Sequence, residues 1–321
     1  MKPDSSTPPP PRLDLSGTGN PDGWPVPSLP AAAWHDLPEG DDGLEAAAAA
    51  YYGNANLLPV AGALAAIRLL PALLPRAVVA CIGPFASPHV EAWTQAGHRP
   101  RLLQNAPLPR ALAAATPYVL LANPNDLTAT LHPHAVVLDA AKQLKKRGGW
   151  LIVDESPIDA TPEESLTPLA GSAEAPNLIV LRSLDHFFGL AGIRVGFVFA
   201  APDLLARMAA ALGPWTVAGP SRAAARLALL DADWQAAMRA SLLAAGQRLH
   251  QLLAPYGDVK STALFAALNT PQAAELHAHL AGQGILVHQL EPASLLRVGL
   301  PGNEADWQRL AAALAAWKPA A

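Results

Sequence analysis

The chain has 321 residues, 51% of them apolar and 15% charged, and a net charge of −4; that is enough for one large domain and a smaller one, and it leaves no basic footprint for nucleic acid. A single cysteine, Cys81, excludes an internal disulfide framework and a zinc site built from several cysteines, and fits a reducing cytoplasm. No stretch of about 18 residues is free of charges and turn formers as a membrane span requires, and Lys2 has no apolar run behind it, so no secretory signal is expected.

Residues 1–11 hold five prolines and no apolar periodicity, which predicts a disordered tail. Residues 12–44 are punctuated by Gly, Pro, Asn and Trp and are expected to form an irregular arm belonging to a small domain. A large domain is expected over 45–202. Within it, helices are predicted at Glu45–Tyr52, Leu64–Leu70, Val90–Ala96 and Ala135–Lys146, the last with basic residues in its final turn and Gly148-Gly149 after it. Apolar runs predict buried strands at Ala77–Ile82, Tyr118–Ala122, Trp150–Val153, Leu178–Leu181 and Val195–Phe199, with a short one at Arg101–Leu103. Strands alternating with helices argue for a mostly parallel sheet covered on both faces. From residue 203 to 321 a small α+β domain is expected. It has helices at Asp203–Leu212, Ser221–Leu229 and Trp234–Leu253 and short strands near 264–268, 286–288 and 296–298. Trp307, Leu310 and Leu314 recur at helical spacing, as core residues do. His132 with His134, and His277 with His279, are two apart and cannot share a ligand on one helix face, so no metal site is expected.

In open α/β sheets, ligands bind beyond the carboxyl ends of the strands. Four such ends are informative here: Gly83-Pro84-Phe85, Asn123-Pro124-Asn125-Asp126, Asp154-Glu155 and Ser183-Leu184-Asp185-His186. Asp154 alone is a functional candidate, but a strand-end acid is often only a helix cap.

The segment Ser183-Leu184-Asp185-His186-Phe187-Phe188-Gly189-Leu190-Ala191-Gly192-Ile193-Arg194-Val195-Gly196 is more specific. It resembles the lysine motif of the class I/II aminotransferase family of pyridoxal-phosphate (PLP) enzymes. That motif runs Ser, two residues, Lys, two residues, Gly-Leu-Ala-Gly, one residue, Arg, one residue, Gly. Further stretches resemble the threonine-phosphate decarboxylases of cobalamin synthesis: Asn20-Pro21, Asn56-Leu57-Leu58-Pro59-Val60, Ala160-Thr161-Pro162-Glu163-Glu164-Ser165-Leu166, Gly213-Pro214-Trp215 and Leu296-Arg297-Val298-Gly299-Leu300-Pro301. The resemblance implies an α/β fold, fold type I of the PLP enzymes, with a large mostly parallel sheet domain and a smaller α+β domain. It also implies a homodimer and the decarboxylation of L-threonine O-3-phosphate to an aminopropanol phosphate. By the same resemblance Gly62, Ala63, Ser183 and Arg194 would hold the cofactor phosphate and Asp126 would face its phenolate oxygen. Asp154 would pair with the pyridinium nitrogen, and Asn20 and Arg297 would meet the phosphorylated amino-acid substrate.

The chain departs from that family at the lysine. His186 stands there, and an imidazole cannot form a Schiff base. Ala63 replaces a hydroxyl residue beside the phosphate, Ala86 the ring that stacks on the cofactor, and Asp126 an amide. Losing a stacking ring costs about 1 kcal/mol and each polar contact about 1 kcal/mol, so PLP retention should fall strongly. Weak phosphate or sulfate affinity should survive at Gly62, Ser183 and Arg194. A plain ion pair of Asp154 with Arg194 across the pocket is the alternative to a working cofactor site. Three readings stay open: a catalytically impaired or non-catalytic homologue, acting as a binding or scaffold partner; an active decarboxylase of unconventional arrangement; and a pyridoxamine-phosphate enzyme with His186 as the general base.

Overall fold

The structure is a computed structural model that describes residues 12–84, 87–103, 108–113, 116–290 and 294–318. The expected tail at 1–11 lies outside the described residues. The described chain opens with a two-residue strand, β1 (Leu13–Asp14), and a single helical turn, α1 (Ala32–His35). Then follow α2 (Leu44–Tyr52), β2 (Leu57–Val60), α3 (Ala63–Leu69), β3 (Val78–Ile82), α4 (Ser87–Gln95), β4 (Arg99–Leu103) and α5 (Leu108–Ala113). They are succeeded by β5 (Tyr118–Ala122), α6 (His134–Lys145), β6 (Trp150–Asp154), β7 (Leu178–Ser183) and β8 (Gly196–Phe199).

These strands build one seven-stranded sheet in the order β2-β8-β7-β6-β5-β3-β4. The run from β4 to β7 is parallel; β8 is antiparallel to β7 and to β2. Both faces are covered, which is why the central strands are almost continuously apolar. Alternate residues enter different cores. Val79, Cys81, Leu120 and Ile152 join Ile67, Trp93 and Met208 on one side, while Ala80, Ile82, Val119, Leu121 and Val153 join Leu44, Val137 and Leu144 on the other. Burial pushes the Cys81 thiol up to about 12, so it packs as an inert apolar group.

After β8 come α7 (Pro202–Leu212), α8 (Gly219–Leu230) and the 22-residue α9 (Ala232–Leu253). Asp231 caps α9 by accepting from the Trp234 amide. Next are β9 (Asp258–Ser261), β10 (Phe265–Asn269), α10 (Ala273–Gly282), β11 (Ile285–Leu286), β12 (His288–Leu290), β13 (Leu295–Gly299) and α11 (Glu304–Ala316). A four-stranded antiparallel sheet runs β12-β13-β10-β9, and β1 pairs in parallel with β11. The arm is therefore tied by backbone hydrogen bonds to the C-terminal part of the chain.

Two expectations need correction. The strand expected near 286–288 is two short strands in different sheets, parted at Val287. Residues 57–60 form a strand that sequence reading did not anticipate. Pro59 argues against a strand, but β2 is an edge, where a missing amide donor costs little.

Candidate functional site

The carboxyl ends of β5, β6 and β7, with the loop into β8, enclose a cavity of about 250 Å³. Asp126, Asp154, Ser183, His186, Arg194 and Ala63 all line it. Six of the residues singled out from sequence are thus brought together, from segments up to 131 positions apart, Ala63 to Arg194. Ala86 lies outside the described residues.

Asp154 ends β6, half-buried at the wall of the cavity between apolar strands. Its Oδ2 is 2.9 Å from Nε2 of His89, which sits on α4. Its Oδ1 accepts from the Ser156 amide at 3.1 Å and the Ser156 hydroxyl at 2.6 Å. Burial works to raise this carboxyl, but the hydrogen bond and charge of His89 and the two Ser156 donors outweigh it, so the group is held below its ordinary value of 3.8. The alternative of an Asp154–Arg194 pair gives way to this Asp-His pair. Sequence reading missed His89, although it lies in the first turn of the helix that follows a strand end.

Arg194 pairs instead with Asp185, Nη1 to Oδ2 at 3.3 Å, and donates to the Ala191 carbonyl at 3.0 Å. Its guanidinium lies against Gly62, which caps α3 with φ of +76°. A Cβ at Gly62 would stand 2.5 Å from Arg194 Nη2, so only glycine leaves the guanidinium where it is. Ser183 is buried at the end of β7, and its hydroxyl accepts from the Asp185 amide at 3.2 Å.

His186 reaches the cavity with Nδ1 turned to Thr18, 3.1 Å from the hydroxyl and 3.3 Å from the carbonyl oxygen. The Thr18 hydroxyl can donate to or accept from this nitrogen, whereas the Thr18 carbonyl can only accept from it. No lysine is among the described residues that line the cavity. Lys260 reaches only the Thr130 hydroxyl, at 3.3 Å.

Asp126 follows β5. Burial first, and then the carboxylate of Asp154, raise its carboxyl above the ordinary value, while Arg297, His186 and His89 act to lower it. Its side chain has no hydrogen-bond or ion-pair partner among the described residues.

Asn20 and Arg297 stand apart from the cavity lining. Asn20 is buried and donates from Nδ2 to the Phe187 carbonyl at 2.9 Å, and its own amide donates to the His186 carbonyl at 2.8 Å. It braces the segment that carries His186. Arg297, on β13, donates to two backbone carbonyls, Asp126 O at 2.9 Å and Ser16 O at 2.5 Å. Burial lowers its pKa from the usual value, and its Nε is buried without a partner. In this state Arg297 straps the arm to the loop after β5. Among the described residues no group of three or more His, Cys, Asp or Glu side chains is placed to hold a metal ion, and no helix is long and apolar enough to cross a membrane.

The family model for aminotransferase class I and II matches residues 37–314. The threonine-phosphate decarboxylase of Pseudomonas aeruginosa is 45% identical over 310 residues, covering 95% of this chain and 92% of that protein. The threonine-phosphate decarboxylase of a Sinorhizobium species is 39% identical over 312 residues, covering 94% and 91%. Among solved structures, the histidinol-phosphate aminotransferase of Sinorhizobium meliloti in complex with pyridoxal-5'-phosphate superimposes with a TM-score of 0.79 at 23% identity, covering 94% of this chain and 89% of that one. The chain therefore belongs to the class I and II aminotransferase family, as a homologue of the threonine-phosphate decarboxylases with the fold of the PLP enzymes.

Proposed function

We propose that this protein is a threonine-phosphate decarboxylase homologue that holds a phosphorylated small molecule without a covalent link and does not decarboxylate threonine phosphate. One observation carries the reading: the side chain at the lysine position is an imidazole, tied through Nδ1 to Thr18, in a cavity that no lysine of the described chain lines. The residues present fit parts of PLP. Asp154, held ionised by His89 and Ser156, suits a protonated ring nitrogen, and Gly62, Ser183 and Arg194 suit a phosphate group. They do not fit its attachment. When bound and attached, PLP supplies an electron sink for decarboxylation; without a lysine, this chain can hold its ring only by non-covalent contacts. Weak affinity for inorganic phosphate or sulfate belongs to the same reading, as do a cytoplasmic location, a homodimer and a role beside an active enzyme of cobalamin synthesis.

A second reading is favoured by His186 itself. With Nδ1 turned to Thr18, Nε2 is the ring nitrogen left to serve as a general base toward a pyridoxamine-type ligand. The test of the first reading is direct. Purified protein with added PLP and L-threonine O-3-phosphate should release no carbon dioxide above the rate seen without protein. Turnover at even a hundredth of a typical enzyme rate of about 10 s⁻¹ would overturn it.

A further inference from the structure

Among the described residues that line the cavity, the charged side chains are three carboxyl groups, Asp126, Asp154 and Asp185, and one guanidinium, Arg194; His89 and His186 add two imidazoles. A ligand phosphate therefore has one permanent cation to meet, and that cation already has a counter-ion from the chain itself. Oδ2 of Asp185 stands 3.3 Å from Nη1 of Arg194. Asp154 does not compete for the guanidinium, because its oxygens are taken by His89 and Ser156.

Asp185 touches both groups that suit a phosphate. Its carboxylate accepts from Arg194, and its backbone amide donates to the Ser183 hydroxyl at 3.2 Å. Its other carboxylate oxygen, Oδ1, is buried without a hydrogen-bond partner among the described residues. A carboxylate oxygen left in that state costs free energy, so this side chain is not placed for its own satisfaction. The pair with Arg194 is open to water: the two side chains are 26% and 48% exposed, and ion pairs of that kind are weak. A phosphate dianion carries twice the charge of Asp185 and can take two N–H groups of the guanidinium fork at once, so it can displace the carboxylate.

We propose that Asp185 sets the affinity of this site for phosphate: it occupies Arg194 as an internal counter-ion, and a ligand phosphate binds by displacing it. The proposal rests on the reading above in which Arg194 takes the phosphate. It supplies the reason that phosphate affinity is weak, which is competition by a tethered carboxylate in addition to the missing hydroxyl at Ala63. The displaced carboxylate stays nearby, held by its backbone, and continues to repel the bound anion.

Calorimetric titration with inorganic phosphate at constant ionic strength tests this. Asp185→Asn keeps the side-chain shape and removes the charge, and it should bind phosphate about tenfold tighter than the wild type, the scale of losing one like charge at a partly exposed site. Asp185→Ser removes the competing acceptor as well and should gain at least as much, which guards against an effect peculiar to the asparagine amide or to poor folding of one variant. The gain should depend on Arg194: in an Arg194→Gln background, Asp185→Asn should change phosphate affinity by less than about twofold, because the interaction in the cycle is then gone. A gain below about threefold in both Asp185 variants overturns the proposal. So does a gain that persists without Arg194, which would mark a general charge effect, or the absence of phosphate binding in both Asp185 variants. A lysine-linked chromophore on adding PLP would instead refute the non-covalent reading and leave these ratios as they are, since inorganic phosphate has no carbonyl to react, so the two failures are told apart.

Discussion

At the scale of single residues, the site divides into groups that have partners and one that lacks them. Asp154 is answered by His89 and Ser156, Arg194 by Asp185, and His186 by Thr18. Asp126 is not, among the described residues, and its raised pKa has a consequence for stability. An acid whose folded pKa lies above its unfolded value of 3.8 favours the folded state fully only below that value. The contribution is lost as pH rises through the folded pKa. Asp126→Asn cannot titrate, so it should be as stable as wild type at pH 3–4 and more stable at pH 7. Urea unfolding at both pH values checks this; a gap of the opposite sign at pH 7 would contradict it. Residue identity was legible in the motif around His186, but partnership was not. The His89–Asp154 contact joins positions 65 apart, and no spacing rule reports it.

At the scale of elements, the segment after β6 is held by a buried ion cluster. Arg182 on β7 pairs with Glu155 and Asp159 at 3.2 and 2.8 Å and donates to the Ser165 hydroxyl at 2.8 Å and the Thr167 hydroxyl at 3.2 Å. All three charged side chains are 2% exposed or less. The family-like stretch 160–166 is thus anchored to the cluster through the Ser165 hydroxyl and the Leu166 amide, which donates to Glu155 at 2.9 Å. Arg182→Met leaves Glu155 and Asp159 without their cation and should cost about 3–5 kcal/mol, read from denaturant midpoints; a loss under about 1 kcal/mol would show that the cluster does not hold the segment. The long apolar strands and helices were legible because both periodicity and burial are strong there. The missed strands are short edges. β9 is polar and largely exposed, and β1 has two residues, so neither carries an apolar pattern. Arg297 is the same lesson in the site: its residue type suits a substrate carboxylate, while its neighbours after folding are backbone carbonyls.

At the scale of the whole molecule, the proposed reading puts a family fold around a site altered at more than one place. Restoring one residue should therefore not restore the site. His186→Lys alone should gain weak PLP binding at most and no measurable turnover of threonine phosphate, because Ala63 still lacks a hydroxyl and Asp126 still presents a carboxyl to the cofactor. Adding Ala63→Thr and Asp126→Asn should improve PLP affinity by more than the separate changes sum to, since all three meet one ligand. Robust activity from the single variant would mean that the other departures are immaterial. The central claim, that ligands here are held without a covalent link, has a simpler test. The wild-type protein is incubated with PLP, treated with borohydride and mapped by mass spectrometry. The expected result is no stoichiometric phosphopyridoxyl-lysine at any position; one lysine labelled in every chain, with a matching visible chromophore before reduction, would contradict it.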